Sequence, residues 1–273
     1  MLRKPWVRKV LPVLFITLVI IFTAYLVSLA IPVPGSAEKP TAPRLIAHAG
    51  GEIYGIRLTN SLQAFDNSYS EGFRFFETDI TLTSDNELIL AHDWGNANWF
   101  MNVKYSTDAP TYKEFKSRST IVGLQMMDLD MLAQWLSEHK DAYIVTDTKL
   151  ETLNILKTIS ERYPDVYDRI IPQIYSFEEY DAVRDMGYKY IILTLYRIKP
   201  SDEEIIDFCT NHPLFALTIP QERAIPDVLN KLVKLDIPIY VHTINDYNVY
   251  VKLRDNGVYG VYTDYFQPSK WVE

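Results

Sequence analysis

Residues 75–96 read FFETDITLTSDNELILAHDWGN. Two acids, Glu77 and Asp79, stand one residue apart at the end of an apolar run, and a His-Asp pair, His92 and Asp93, ends the next run. Only TLTSDNE separates the two runs, which is shorter than the dozen or so residues a parallel crossover needs. The second run must therefore fold back on the first as a hairpin. Residues i and i+2 of a strand share one side, so Glu77 and Asp79 project together, and the hairpin returns His92 to the same end.

The rest of the chain alternates between strand-like and helix-like segments. Strand candidates fall at 45–49, 74–80, 88–93, 142–148, 170–175, 190–196, 215–220, 239–244 and 260–265. Between most of them lie amphipathic patterns such as MDLDMLAQWLSEH, LETLNILKTISERY and SDEEIIDFCTNH. That alternation implies a parallel sheet. With the hairpin's return run set aside, eight strands remain. The predicted fold is an α/β (β/α)8 TIM barrel, with a β-hairpin and an insertion at the catalytic mouth. Chemistry in such barrels sits at the C-terminal ends of the strands.

The N-terminus differs from the rest. MLRKPWVRKV carries four basic residues and no acid, and Leu11–Ile31 then runs without a charge. That run has about the length of a transmembrane helix, and the basic flank predicts a cytoplasmic N-terminus. The expected organisation is a basic cytoplasmic segment (1–10), a single-pass anchor (11–31), a Pro-rich tether (32–43) and a barrel (44–273) outside the cytoplasm at the cell membrane. The competing reading is a cleaved signal peptide ending at Ser28-Leu29-Ala30, but the run exceeds the usual apolar region of about 7–15 residues.

Composition narrows the chemistry. The chain has 273 residues, 48% hydrophobic and 23% charged, as expected of a globular protein. A single cysteine, Cys209, excludes an internal disulfide and a cysteine zinc site. Residues 1–34 hold four of the 27 basic residues and none of the 35 acids, leaving 23 against 35, a balance of −12. So acidic a domain is a poor binder of nucleic acid and gains nothing from broad attraction to anionic lipid.

Three strands end in ionisable residues: LIAHAGG in His48, RFFETDI in Glu77 and Asp79, and AYIVTDTK in Asp147 and Lys149. The hairpin adds His92. Buried carboxylates side by side repel each other and lose hydration, so they need a cation, a shared proton or basic partners. Oxygen donors of this kind suit Mg²⁺ or Ca²⁺. Gly50 and Gly51, after His48, would let backbone approach a ligand and leave N–H groups free. Each feature alone also has a structural reading: an exposed charged strand, an Asp-Lys pair, a His before a turn. Their convergence on one end of a barrel is what makes the site.

The set resembles the glycerophosphodiester phosphodiesterase family, within the phosphatidylinositol phospholipase C-like barrels. That family carries a His-Arg-Gly strand end, a Glu-Asn-Thr helix start, Glu-x-Asp, His-Asp, Glu-x-Lys, Trp-Thr-x-Asn and a final Gly-x-x-x-x-Thr-Asp. Here HAGG (48–51), TNSLQAF (59–65), ETD (77–79), HD (92–93), DTK (147–149), HTIN (242–245) and GVYGVYTD (257–264) follow in that order. The resemblance implies His48 and His92 as general acid and base, and a divalent ion on Glu77, Asp79 and Asp147. It implies a phosphate or substrate contact from Lys149, with Gly50, Gly51, Asn60 and His242 on the substrate side. The implied substrate is a small or polymeric phosphodiester.

The departures are specific. The family's arginine is Ala49 and its Glu is Thr59, so a cation and an anion are replaced together, and Arg57 or Lys149 is left to meet the phosphate. Asp147 stands for the usual Glu, as in the similar sphingomyelinase D-type phospholipases, and His242 stands for Trp. His139 and His212 read as structural. The stretch from Asp93 to Met127 is too long for a simple barrel connection; it either caps the mouth or packs flat on the barrel. Three functions compete: a glycerophosphodiester or wall-polymer phosphodiesterase, a membrane-anchored phospholipase, and an inactive barrel that binds phosphodiesters.

Overall fold

The computed structural model describes residues 39–104, 106–148 and 150–270. From Ala42 onward the chain forms one compact unit. The expected anchor and most of the tether lie outside the described residues, and among those described no helix is long and apolar enough to cross a membrane.

Eight parallel strands close a barrel: β1 (Leu45–Ala47), β2 (Phe75–Leu82), β4 (Tyr143–Asp147), β5 (Ile170–Ile174), β6 (Ile192–Thr194), β7 (Ala216–Pro220), β8 (Ile239–His242) and β9 (Gly260–Thr263). Closure comes from β1, which pairs with β9 over Leu45–Ala47 and with β2 at Ala47. The ninth strand, β3 (Leu88–Leu90), pairs antiparallel with β2, with Ile80 opposite Leu90. The hairpin and the eight staves thus stand where the pattern put them. Several strands are shorter than predicted: 190–196 contracts to 192–194, and 45–49 ends at Ala47. At Ala47 the backbone leaves the sheet for a tight turn in which Ala49 has φ 49° and ψ 37°.

The helices are α1 (Leu62–Ser70), α2 (Trp94–Phe100), α3 (Tyr112–Ser117), α4 (Leu129–Glu138), α5 (Thr152–Arg162), α6 (Glu179–Asp185), α7 (Asp202–Asn211), α8 (Pro226–Leu232) and α9 (Tyr247–Asp255). Their starts follow from local chemistry. Ser61, Asp93, Thr111, Asp128, Ser201 and Asp246 each accept a backbone N–H of the first turn, as N-caps do. The three helices read from sequence appear within two residues of the expected bounds.

Two layers of core result. Ile46, Phe75, Val145, Ile171, Ile192, Ala216, Tyr240 and Tyr262 pack together, one inward side chain from each stave. Outside the staves, a larger layer joins them to the helices. In it Phe65 of α1 stacks on Phe76 at 5.3 Å and meets Trp135 edge-on, and burying such a ring contributes roughly 1.5–3 kcal/mol. Cys209 is buried in that layer, and burial pushes its thiol up to about 12, as expected of a packing residue. His139 stacks on Trp135 and His212 on Phe208, each with Nδ1 on a helix carbonyl.

The stretch after His92 folds into α2, α3 and a turn around its own small core of Ile89, Ala97, Phe100, Met101, Phe115 and Met126. Met126 bridges to Ser61 at the start of α1, so the insertion lies along the rim of the barrel.

Candidate active site

The period of two that builds the inner core also builds the site. Two residues beyond an apolar plug residue, the next inward position of each stave stands at the mouth. Ile46 is followed by His48, Val145 by Asp147, Tyr240 by His242 and Tyr262 by Asp264. Phe75 is followed by Glu77 and then Asp79. His48, His92, Asp147, Tyr196, His242 and Asp264 line one open cavity of about 650 Å³.

Glu77, Asp79 and Asp147 come together as predicted: each offers an oxygen, and these lie within 4.8 Å of one another. Glu77 and Asp79 are each only 2% exposed. Burial, then the charges of Asp79 and Asp147, drive Glu77 well above the usual carboxylate range, while His48 draws it down. Three oxygen donors under mutual repulsion, two of them buried and Asp147 half-buried, fit a divalent cation, which is the group that would relieve it.

Each carboxylate is positioned by neighbours. Glu77 accepts the N–H of Ala49 at 2.8 Å. Asp79 accepts from Asn60 Nδ2 at 3.0 Å, while Asn60 Oδ1 takes Thr78 Oγ1 and the Asp79 N–H. Asp147 accepts the hydroxyls of Tyr175 and Tyr196. Those two tyrosines escaped the sequence reading because a strand-end tyrosine looks like core.

His48 is held from behind. Its Nδ1 lies 2.8 Å from Asp264 Oδ1, and its Nε2 stands 3.9 Å from Glu77. Asn245 donates to Asp264 at 2.6 Å and accepts the Asp264 N–H at 2.8 Å. Burial alone would lower the imidazole, but the Asp264 hydrogen bond and the charges of Glu77, Asp264 and Asp79 outweigh it and raise His48 to about 9. Asp264 and Asn245 were visible only as parts of late motifs with no role attached, because 216 residues separate His48 from Asp264.

His92 reaches the mouth through the hairpin: Ala91 donates its N–H to the Asp79 carbonyl at 3.0 Å, which sets the next residue level with Asp79. Its Nδ1 lies 2.8 Å from Asp93 Oδ2. Burial works against ionising Asp93, but hydrogen bonds from His92 and Asn96 bring it down to about 2. Arg57 Nη1 stands 3.7 Å from Asp264, with its side chain 53% exposed beside the cavity. A cation is thus present at the mouth even though Ala49 replaces the arginine. His242 also lines the cavity, its ring 5.4 Å from Tyr196. Burial, then the nearby His48 charge, lowers it to about 4, and its Nε2 is buried with no hydrogen-bond partner.

Not every expected residue faces substrate. Gly50 and Gly51 turn toward α1: a Cβ at Gly50 would meet Phe65 at 2.6 Å, and one at Gly51 would meet Ser68 at 2.2 Å. The Gly51 N–H goes to the His48 carbonyl. Their positive φ angles, 80° and 93°, allow this close turn-to-helix contact. Asn60 is fully buried and donates to Asp79. Lys149 lies outside the described residues.

The profile of the "Glycerophosphoryl diester phosphodiesterase family" matches residues 48–267. The chain belongs to that family. It is a phosphoric diester hydrolase by that membership. A glycerophosphodiester phosphodiesterase of Bacillus altitudinis is 25% identical over 240 residues, 81% of this chain and 94% of that one. The barrel is similar to the crystal structure of a Thermotoga maritima glycerophosphodiester phosphodiesterase, with a TM-score of 0.62, 21% identity, and 82% and 95% of the two chains covered. It is similar also to an Oleispira antarctica phosphodiesterase in complex with the product sn-glycerol-3-phosphate, with a TM-score of 0.66, 15% identity, and 84% and 95% covered. At such identities the structural likeness speaks for the fold. Family membership rests on the profile match, in which every motif quoted from the sequence falls.

Proposed function

We propose that this family member is a divalent-metal-dependent glycerophosphodiester phosphodiesterase in which His48 and His92 move the protons. The observation that carries the reading is His48, braced by Asp264 and standing 3.9 Å from Glu77, one of a cluster of three carboxylates of which two are buried. An acid/base group next to a hard-cation site is what a phosphodiester needs, because its own negative charge repels a nucleophile.

Glu77, Asp79 and Asp147 would hold Mg²⁺ or Ca²⁺, which when bound offsets phosphate charge. The remaining work belongs to the chain. Arg57 faces the anionic group at the cavity entrance. His92, its Nδ1 on Asp93, accepts at Nε2 the proton of the attacking hydroxyl, which is supplied by the substrate's own neighbouring carbon. His48, kept protonated by Asp264, gives its Nε2 proton to the leaving oxygen as the phosphorus–oxygen bond breaks. A free alcohol leaves and a cyclic phosphate remains. Water then opens the ring with the two histidines in reversed roles. On sequence alone, the same proposal places the barrel outside the cytoplasm, tethered by the run at 11–31.

The test is release of free alcohol from glycerophosphodiesters, with Mg²⁺ and with Ca²⁺, followed across pH. His48 acts as an acid, so rate is held below its pKa and lost as pH rises through it. Asp264→Asn removes an anion that stabilises the charged ring without touching the carboxylate cluster. The alkaline limb of the kcat profile then moves to lower pH, by about one to two units for a lost charge-assisted hydrogen bond. An alkaline limb that stays in place would show that Asp264 does not act through the charge of His48.

A further inference from the structure

Asp147 is held differently from the other two carboxylates of the cluster. Glu77 takes a backbone N–H, and Asp79 takes a buried side-chain amide. Asp147, the half-buried member, takes two phenols. Tyr175 directly follows the last residue of β5, and Tyr196 lies two residues beyond the end of β6. In the order of staves, β5 and β6 stand on the other side of β4 from β2, which carries Glu77 and Asp79.

The direction of each hydrogen bond is fixed. Tyr175 Oη accepts the Thr148 N–H at 2.7 Å, so its own proton goes to Asp147 Oδ1. Tyr196 Oη stands 3.1 Å from Oδ1 and 3.3 Å from Oδ2, and a carboxylate only accepts. The phenols are themselves held in place. Tyr175 is buried, and its N–H and that of Ser176 both go to Glu179 at the start of α6. The Arg197 guanidinium lies 4.3 Å from the centre of the Tyr175 ring and 5.6 Å from that of Tyr196, and the two rings meet edge-on.

Three carboxylates with oxygens within 4.8 Å of one another are mutually repulsive. The half-buried one has the most room to relieve that repulsion by turning its head into the open cavity. Two fixed donors on that head oppose the motion and offset part of its charge.

We infer that Tyr175 and Tyr196 are positioning residues for the ion: they hold the Asp147 carboxylate in the cluster against repulsion, so that the site is formed before the cation arrives. The inference rests on the metal-dependent reading of the cluster and on no step of the phosphodiester chemistry. Partners that orient a metal-binding group in this way govern ion affinity by about 10–100-fold. Tyr196 has a second task. Its ring lines the catalytic cavity, 5.4 Å from that of His242. The hydroxyl serves the ion and the ring serves the substrate, whereas Tyr175 serves the ion alone.

Calorimetric titration of the full-length protein with Mg²⁺ and with Ca²⁺ reads ion binding without turnover. Tyr175→Phe and Tyr196→Phe are each expected to weaken binding by about 10-fold, and the double variant by up to about 100-fold. Tyr188→Phe is the structural control, since the Tyr188 hydroxyl is buried on the Leu156 carbonyl among the helices. That variant is expected to melt at a lower temperature and to bind the ion as the wild type does. At saturating ion, Tyr196→Phe keeps the wild-type KM for a glycerophosphodiester, while Tyr196→Leu, which also loses the ring, raises it. Phe variants at 175 and 196 that melt lower but keep wild-type ion affinity would overturn the inference. So would a KM raised as much by Tyr196→Phe as by Tyr196→Leu, because the hydroxyl would then act on substrate. Ion binding that weakens as expected, with no turnover of any phosphodiester, would support the inference and refute the phosphodiesterase reading. A wild type that binds neither ion would refute both.

Discussion

His48→Ala is expected to lower kcat by about 10²–10⁴-fold, the range over which a positioned acid or base contributes. His92→Ala should fall in the same range. The double variant should lose little more than the worse single one, because a step that needs both protons moved is already lost when either is. Metal affinity should barely change, since Glu77, Asp79 and Asp147 remain. The competing view is that His48 only shapes the turn that carries Ala49 to Glu77. His48→Asn separates the two, as it keeps a polar side chain of similar reach but cannot carry the proton. Turnover near wild type in His48→Asn, with metal binding intact, would remove His48 from the chemistry.

The second large effect concerns the cluster. Exhaustive chelation should take turnover to background, and added Mg²⁺ or Ca²⁺ should restore it; full activity after chelation would end the metal-dependent reading. The same cluster predicts a stability change of opposite sign. Burial and the charges of Asp79 and Asp147 penalise ionised Glu77, so without a cation the cluster works against folding. Glu77→Gln should therefore raise the Tm of the metal-free protein while weakening its binding of the ion and its turnover. A Tm that drops in the metal-free variant would mean that the carboxylate is held by its hydrogen bond to Ala49 more than it is strained by its neighbours. The comparison is best made near neutral pH and at moderate ionic strength, where exposed charges are screened and the buried cluster is not.

Much of this site was legible before any coordinates, and the reasons are local. Seven residues between two apolar runs cannot make a crossover, so the hairpin followed, and with it the count of eight staves and the return of His92. Alternation placed Glu77 and Asp79 on one side. Asp264 and Asn245 were not assignable in the same way, because the contact that gives them meaning exists only once β9 closes against β1. Tyr175 and Tyr196 were hidden because composition does not distinguish a ring that fills a core from one whose hydroxyl holds a carboxylate. The glycines at 50 and 51 announced freedom of φ but not direction, and direction was decided by Phe65 and Ser68 on the helix behind them. Ala49 and Thr59 looked like a lost ion pair. Both are now fully buried, Ala49 giving its N–H to Glu77 and Thr59 sharing a hydroxyl–hydroxyl hydrogen bond with Ser61, so the space of the missing pair is closed by short side chains and backbone.

The way the chain enters the barrel has a mechanical meaning. Tyr259 and Tyr240 donate their hydroxyls to the carbonyls of Ala42 and Pro43, and the carbonyl of Arg44 takes the N–H of Val261. Three residues later the strand ends, and the next residue is His48. A pull on Ala42 along the strand axis would be carried by β1, parallel to β2 and β9 on either side. Every ladder bond of that strand is loaded at once, in shear, instead of being opened one after another like a zip. The clamp of tyrosine hydroxyls takes the load first. Behind it, with only Leu45, Ile46 and Ala47 between, stands His48, the residue proposed to protonate the leaving oxygen, so tension applied at Ala42 and the placing of that proton would share one short rod.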